Sequence, residues 1–217
     1  MLVDCDDVEL VAINSGSDAE SHAYLLKYDS LYGKCHADIG VKGKDLVVNG
    51  KKIAVYQVKD PKDVDWKKHK VDIVVEATGK FTEMADVKKH LDAGARRVLV
   101  TAPCKDPEIP NIVMGVNDEE VDLDKYKVVS NASCTTNCLA PVMHVLHKEF
   151  KVEKAFVNTV HAFTYTQNLL DNSNPEDFRR ARATTESIIP TTTGAMKSIG
   201  RVIPDLAGKV DGMAFIV

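Results

Sequence analysis

The sequence predicts an α/β protein organised on a parallel sheet, and three observations carry that prediction. Short β-branched runs alternate with helical stretches along most of the chain. The junctions are closed by turn-forming residues, as at Asn49-Gly50, Thr78-Gly79 and Thr101-Ala102-Pro103. Finally, 217 residues of which 44% are hydrophobic supply enough apolar side chain for one large or two small packed domains. A net charge of -4 and a pI near 6.0 carry no nucleic-acid or membrane footprint, and the run Lys67-Lys68-His69-Lys70 is short enough to be a solvated face. No signal peptide or long apolar run occurs. Five cysteines, an odd number without framework spacing, point to a reducing compartment and to neither a metal nor a redox pair.

Residues 8–13 read as a buried strand ending in the turn Asn14-Ser15-Gly16-Ser17, with a helix around residues 23–26. Leu46-Val47-Val48 and Ile53-Ala54-Val55 flank Asn49-Gly50, the signature of a hairpin with a type I′ turn. Asp60-Pro61 interrupts the chain, and a short polar helix is expected to include Trp66. Residues 71–75 form a near-continuous apolar strand running into Glu76-Ala77-Thr78-Gly79. A helix over residues 83–93 is closed by Gly94, and Arg97-Val98-Leu99-Val100 supplies the next strand, ending at Thr101. Parallel sheets bind ligands beyond the carboxyl ends of their strands, where Thr78, Gly79 and Thr101 fall. On the residues alone, plain turn chemistry is the favoured explanation for these positions, with Gly79 relieving crowding.

Lys127-Val128-Val129-Ser130 ends another strand. Beyond it, Leu139, Val142, Met143, Leu146 and Phe150 recur at helical spacing, so Asn131-Ala132-Ser133-Cys134 is a tight turn into an amphipathic helix. At a helix N-terminus, free backbone N–H groups and the dipole favour an anion, which biases Cys134 toward thiolate, a strong nucleophile. A buried structural thiol is the competing reading, and it is the one expected for Cys138. Residues 153–160 form a strand leading to His161, a candidate base for which, on the residues alone, a satisfied structural histidine is the more ordinary reading. A long polar segment, residues 167–190, then carries Arg179-Arg180-Ala181-Arg182, and Thr191-Thr192-Thr193-Gly194 offers hydroxyls and a glycine N–H suited to an anion.

The run Ser133-Cys134-Thr135-Thr136-Asn137-Cys138-Leu139-Ala140-Pro141 closely resembles the active-site segment of phosphorylating glyceraldehyde-3-phosphate dehydrogenases. Thr159-Val160-His161-Ala162-Phe163-Thr164 and the segment from Ser187 to Ala195 resemble the same family, and the likeness extends over essentially the whole chain. The resemblance implies an incomplete Rossmann-like parallel-sheet domain followed by the first part of an α+β catalytic domain. Residues 1–133 would be an NAD(P)-binding domain lacking its first strand and Gly-rich loop, and residues 134–217 the catalytic portion. It implies that Cys134 and His161 are catalytic. Ser133, Thr135, Arg180, Thr193 and Gly194 would face inorganic phosphate, and Thr164 the phosphate of glyceraldehyde 3-phosphate. Asn14, Ser15, Thr78, Gly79 and Thr101 would line the cofactor, with no metal. The family also implies a homotetramer and a cytoplasmic location, with a plastid as the alternative.

Three departures from the family pattern stand out. Ser15 replaces the carboxylate that grips the adenosine ribose in strictly NAD-dependent members, so Ser15 and Ser17 could donate to a 2′-phosphate; Asn172-Ser173 replaces a Leu-Pro pair. Both point to use of NADP, alone or alongside NAD. Ile216 stands where the family carries an arginine for the substrate phosphate. No Gly-x-Gly-x-x-Gly occurs, so a fragment is expected, with two unpaired inner strand edges where the first strand belongs. The rival readings are a sister dehydrogenase of another phosphorylated aldehyde such as erythrose 4-phosphate, a Cys/His hydrolase, and a non-catalytic truncated polypeptide.

Overall fold

The computed structural model describes residues 5–217, which divide into two units. The first takes the chain up to Val74 together with Ala85–Val98, and the second comprises Val75–Met84 and Leu99–Val217.

The first unit is built on β1 (Ala12–Asn14), β4 (Ile39–Lys42), β5 (Asp45–Val48) and β6 (Lys51–Tyr56), in the order β1-β6-β5-β4, with a small β2 (Tyr28–Asp29) and β3 (Gly33–Lys34) pair beside them. β1 runs parallel to β6, with Ala12 opposite Ala54, while β4, β5 and β6 form an antiparallel meander. Asn49 and Gly50 have φ of 49° and 77°, so both central residues of the hairpin are left-handed and the type I′ turn is borne out. The helix α1 (Ala19–Lys27) starts where Asp18 accepts a hydrogen bond from the Ser21 N–H at 2.8 Å. Its Ala23 and Leu26 pack with Ile13 on a core of Leu46, Val48 and Ile53.

Two expectations for this unit are corrected. The first strand is Ala12–Asn14 and only half-buried, lying at a sheet edge where, among the described residues, β6 is its one strand neighbour; Val8 is exposed. Nor does a helix contain Trp66. Asp60 caps a single 3-10 turn, Pro61–Asp63, and Trp66 is instead drawn into the interior, where its indole N–H donates to His90 Nδ1 at 3.3 Å and its ring packs edge-on to Tyr56. The helix α2 (Met84–Asp92) is stopped by Gly94, as expected. There φ is +105°, and an added Cβ would lie 2.6 Å from Lys67 Cβ.

A second sheet has the order β7 (Ile73–Glu76), β8 (Arg97–Val100) and β9 (Val128–Ser130). Arg97 N–H bonds Asp72 O and Thr101 N–H bonds Glu76 O, an ascending register that makes β7 and β8 parallel. The alternating-strand reading of an α/β protein with parallel sheets is thus borne out. β7 begins two residues later than the expected 71–75 run, and its apolar residues alternate in burial: Val74 and Glu76 are buried, while Ile73 and Val75 are about half exposed.

The second unit continues with α3 (Cys134–Phe150), β10 (Ala155–His161), β11 (Ile189–Thr191), α4 (Ala195–Val202) and β12 (Val210–Ile216). β12 is the central strand of its sheet, parallel to β10 and antiparallel to β11. Val157 faces Gly212, and His161 faces Ile216. At Gly212 the backbones approach so closely that a Cβ would stand 2.0 Å from the Val157 carbonyl oxygen. Ala140 and Met143 of α3 meet Ile199 and Val202 of α4 in a core completed by Leu206 and Val210. The expected apolar stripe of α3 is corrected: Thr136, Ala140 and Met143 are buried, whereas Val142, Leu146 and Phe150 are exposed. The face that meets α4 is formed by Ala140 and Met143, with Leu139 packed partly against the same core. At the far end of α4, the Arg201 guanidinium donates to the carbonyls of Cys104, Asp106 and Ile109 at 2.7, 2.9 and 2.8 Å, holding the loop after β8. Among the described residues no helix is long and apolar enough to cross a membrane.

Candidate active site

Cys134 is the first residue of α3, and the turn before it is braced from several sides. Ala132 is buried with φ +58°, a left-handed conformation costing a non-glycine residue about 1–2 kcal/mol, and its N–H is held by Ser130 Oγ. Ser133 caps the helix, its Oγ accepting from the Thr136 N–H at 3.0 Å. Asn137 Nδ2 donates to the carbonyls of Asn131 and Ser133 at 2.7 and 2.9 Å. These contacts fix the backbone that carries the thiol, and Cys134 is exposed.

His161 ends β10 and brings Nε2 to 3.2 Å from Cys134 Sγ. Its Nδ1 lies 2.6 Å from the Ala162 carbonyl, which can only accept, so Nδ1 carries a proton and Nε2 is free to exchange one with the thiol. Partial burial pushes the Cys134 thiol up, but the His161 hydrogen bond, the Thr135 hydroxyl at 3.9 Å and the imidazole charge together hold it below its ordinary value. The Ala162 carbonyl and the Cys134 sulfur raise the His161 imidazole, against its partial burial. The arrangement favours a thiolate–imidazolium pair at the start of a helix.

The phosphate candidates lie on two stretches. Ser133 and Thr135 flank the thiol. Arg180 lies in a 3-10 turn, Phe178–Ala181; its Nε donates to Thr191 Oγ1 at 3.0 Å and its Nη2 to the Thr192 carbonyl at 3.4 Å. Thr193 Oγ1 accepts from the Ala195 N–H at 3.2 Å, and Gly194 is the residue before α4. Thr164 is exposed and hydrogen-bonds the buried Gln167 side chain. Ile216 is buried between His161 and Ile189 as an apolar sheet residue.

The cofactor candidates Thr78, Gly79 and Thr101 sit at the carboxyl ends of β7 and β8. Thr78 directs both its N–H and its hydroxyl to Glu76 Oε1, and Thr101 Oγ1 donates to the Glu76 carbonyl at 3.3 Å. Gly79 does not relieve crowding as expected: a Cβ there would meet nothing within 4 Å, and the glycine is required by its φ of +70°. In the first unit, Asn14 exchanges two 3.1 Å hydrogen bonds with the Val58 backbone, and Ser15 Oγ accepts from the Ser17 N–H at 3.2 Å.

Cys138 is exposed, which corrects the reading of it as a packed thiol. It lies one helical turn beyond Cys134, so both sulfurs share the open face. Sequence reasoning also missed Glu76 and Asp177, whose contacts organise the candidate residues, and it read Thr191 as part of an anion cradle, whereas its hydroxyl bonds Asp177 and Arg180. The available signals were an acidic residue ending an apolar strand and an Asp three positions before Arg180.

Comparison with known proteins identifies the family of the chain. The glyceraldehyde 3-phosphate dehydrogenase NAD binding domain model matches residues 1–84, and the C-terminal domain model of that enzyme matches residues 133–217. The chain is 51% identical over 211 residues to glyceraldehyde-3-phosphate dehydrogenase of Geobacillus stearothermophilus, covering 97% of this chain and 62% of the relative. It is 50% identical over 212 residues to the enzyme of Priestia megaterium, covering 98% and 63%. For enzyme 1 of Kluyveromyces marxianus the figures are 46% over 215 residues, 97% and 63%. The chain thus spans somewhat under two thirds of the length of these relatives. With both domain models matched in chain order and about half its residues shared with these enzymes, the chain belongs to the glyceraldehyde-3-phosphate dehydrogenase family.

Proposed function

We propose that this chain carries the catalytic pair of a phosphorylating glyceraldehyde-3-phosphate dehydrogenase, oxidising glyceraldehyde 3-phosphate to 1,3-bisphosphoglycerate through a Cys134 thioester. The 3.2 Å approach of Cys134 Sγ to His161 Nε2 at a capped helix start carries the proposal. The thiolate attacks the aldehyde carbon, forming a C–S bond, and the new alkoxide takes a proton from His161 Nε2. A nicotinamide cofactor, when bound, supplies the two-electron acceptor. Nε2 withdraws the hydroxyl proton as the carbon is oxidised to the thioester. A phosphate oxygen then attacks the acyl carbon, the C–S bond breaks, and the thiolate is regenerated.

In this reading Ser133, Thr135, Arg180, Thr193 and Gly194 hold inorganic phosphate, and Thr164 holds the phosphate of the substrate. Residues 1–133 form the cofactor-binding portion and residues 134–217 the catalytic portion. Thr78, Gly79 and Thr101 offer exposed hydroxyls and a left-handed turn that fit a ribose and nicotinamide. Asn14 shapes the turn that presents Ser15. Because Ser15 Oγ accepts from Ser17 and keeps its own proton to donate, we infer use of NADP as well as NAD. The working protein is a homotetramer in the cytoplasm or a plastid.

Cys134→Ala in the protein made from the complete reading frame should abolish acyl-enzyme seen by mass spectrometry; residual acylation at another residue would overturn the assignment. The apolar, buried Ile216 favours a second reading, a sister enzyme of erythrose 4-phosphate. Comparing kcat/KM for the two aldehydes decides between them.

A further inference from the structure

The loop bearing Arg180 contains a short chain of polar contacts that the proposed reaction does not use. Asp177 accepts from the Arg179 N–H and Nε at 3.0 and 2.9 Å, which fixes the carboxylate at the start of its turn. Its other oxygen accepts from Thr191 Oγ1 at 3.1 Å. Thr191 is 3% exposed on β11, and the same oxygen, its proton committed to Asp177, accepts from Arg180 Nε at 3.0 Å. Arg180 Nη2 is held by the Thr192 carbonyl, and among the described residues Arg180 Nη1 has no hydrogen-bond partner. One edge of a planar guanidinium is thus pinned to the β11 strand, leaving the opposite donors for an anion.

We propose that Asp177 is a positioning residue that acts through the buried Thr191 hydroxyl to orient Arg180 for inorganic phosphate. The inference rests on the reading of Arg180 as a phosphate-facing residue. Thr191 alone could donate its proton elsewhere and leave Arg180 free to rotate; a carboxylate fixes the direction of that proton, and with it the lone pair offered to Nε. Arg179 holds the Asp177 carboxyl down at about 2, so it stays charged wherever the enzyme works. Asp177 also lies 3.7 Å from Arg180 Nε, near enough to steady the charge and too far to be its direct partner.

The test uses the protein from the complete reading frame, with the burst of reduced cofactor reporting acylation and steady-state kinetics reporting the KM for inorganic phosphate. Thr191→Val and Asp177→Asn should each raise that KM roughly tenfold, the loss of one charge-assisted hydrogen bond, with the burst rate unchanged. Thr191→Ser should restore the wild-type value, and neither change should add to the effect of Arg180→Gln. If Arg180→Gln itself leaves the phosphate KM unaltered, the underlying reading of Arg180 falls. If Arg180→Gln raises it while Thr191→Val matches wild type, the positioning role alone is overturned. Should Asp177→Asn fail to fold, the Val and Ser pair at 191 decides.

Discussion

Replacing His161 with Gln tests the thiol–imidazole pair at its centre. His161 gives Cys134 both a hydrogen bond at 3.2 Å and a positive charge. A hydrogen bond to a charged group is worth about 1.5–3 kcal/mol when sheltered. Cys134 is exposed, so solvent screening reduces this to about 1–1.5 kcal/mol, roughly a tenfold loss of thiolate at neutral pH. Thr135 and the helix terminus remain and keep some activation. The sign follows from the two shifts. Cys134 is held below its ordinary thiol value, so its reactivity rises early as pH increases; removing His161 moves that rise to higher pH. The raised His161 value means the imidazolium survives into the range where the thiolate forms, which gives the pair its window. Alkylation by iodoacetamide, followed from low to high pH with the labelled residue identified by mass spectrometry, measures both quantities. A His161→Gln protein alkylated at the wild-type rate and with the wild-type pH midpoint would refute the pairing.

Other perturbations probe the frame. Gly212→Ala places a Cβ 2.0 Å from the Val157 carbonyl, and the clash of two strand backbones should cost about 3 kcal/mol or more, lowering Tm by roughly 6 °C or more; a Tm within a degree or so of wild type would contradict the close approach. Ser133→Ala removes the cap of α3 and should destabilise by about 1 kcal/mol, read by urea denaturation, with no loss counting against the capping role. Ser15→Asp sets a carboxylate where a 2′-phosphate would lie and should lower the NADP-to-NAD efficiency ratio roughly tenfold, while an unchanged ratio would remove Ser15 from the cofactor site.

Much of the site was legible because its signals are local. Cys134 at the helix start and the Asn49-Gly50 turn each follow from a few adjacent residues whose backbone preferences agree. Burial was less legible. Cys138, Val142 and Phe150 look like core residues in isolation, yet the phase of α3 is set by its contact with α4, far along the chain. Gly79 shows the same limit at smaller scale: glycine was expected, but only the φ angle distinguishes a conformational need from a steric one. The Asp177–Thr191–Arg180 chain depends on how a loop returns to β11, which no residue spacing encodes.

The parallel pairing of β10 with β12 has a kinetic consequence. His161 finds its partner Ile216 only after the Arg180 loop, β11 and α4 have been threaded between them, so its placement pays for closing a long loop. The Cys134 turn closes on its own neighbours. In refolding, α3 should therefore form before the thiol gains its enhanced reactivity, and the delay between helix signal and rapid alkylation would time the docking of β12.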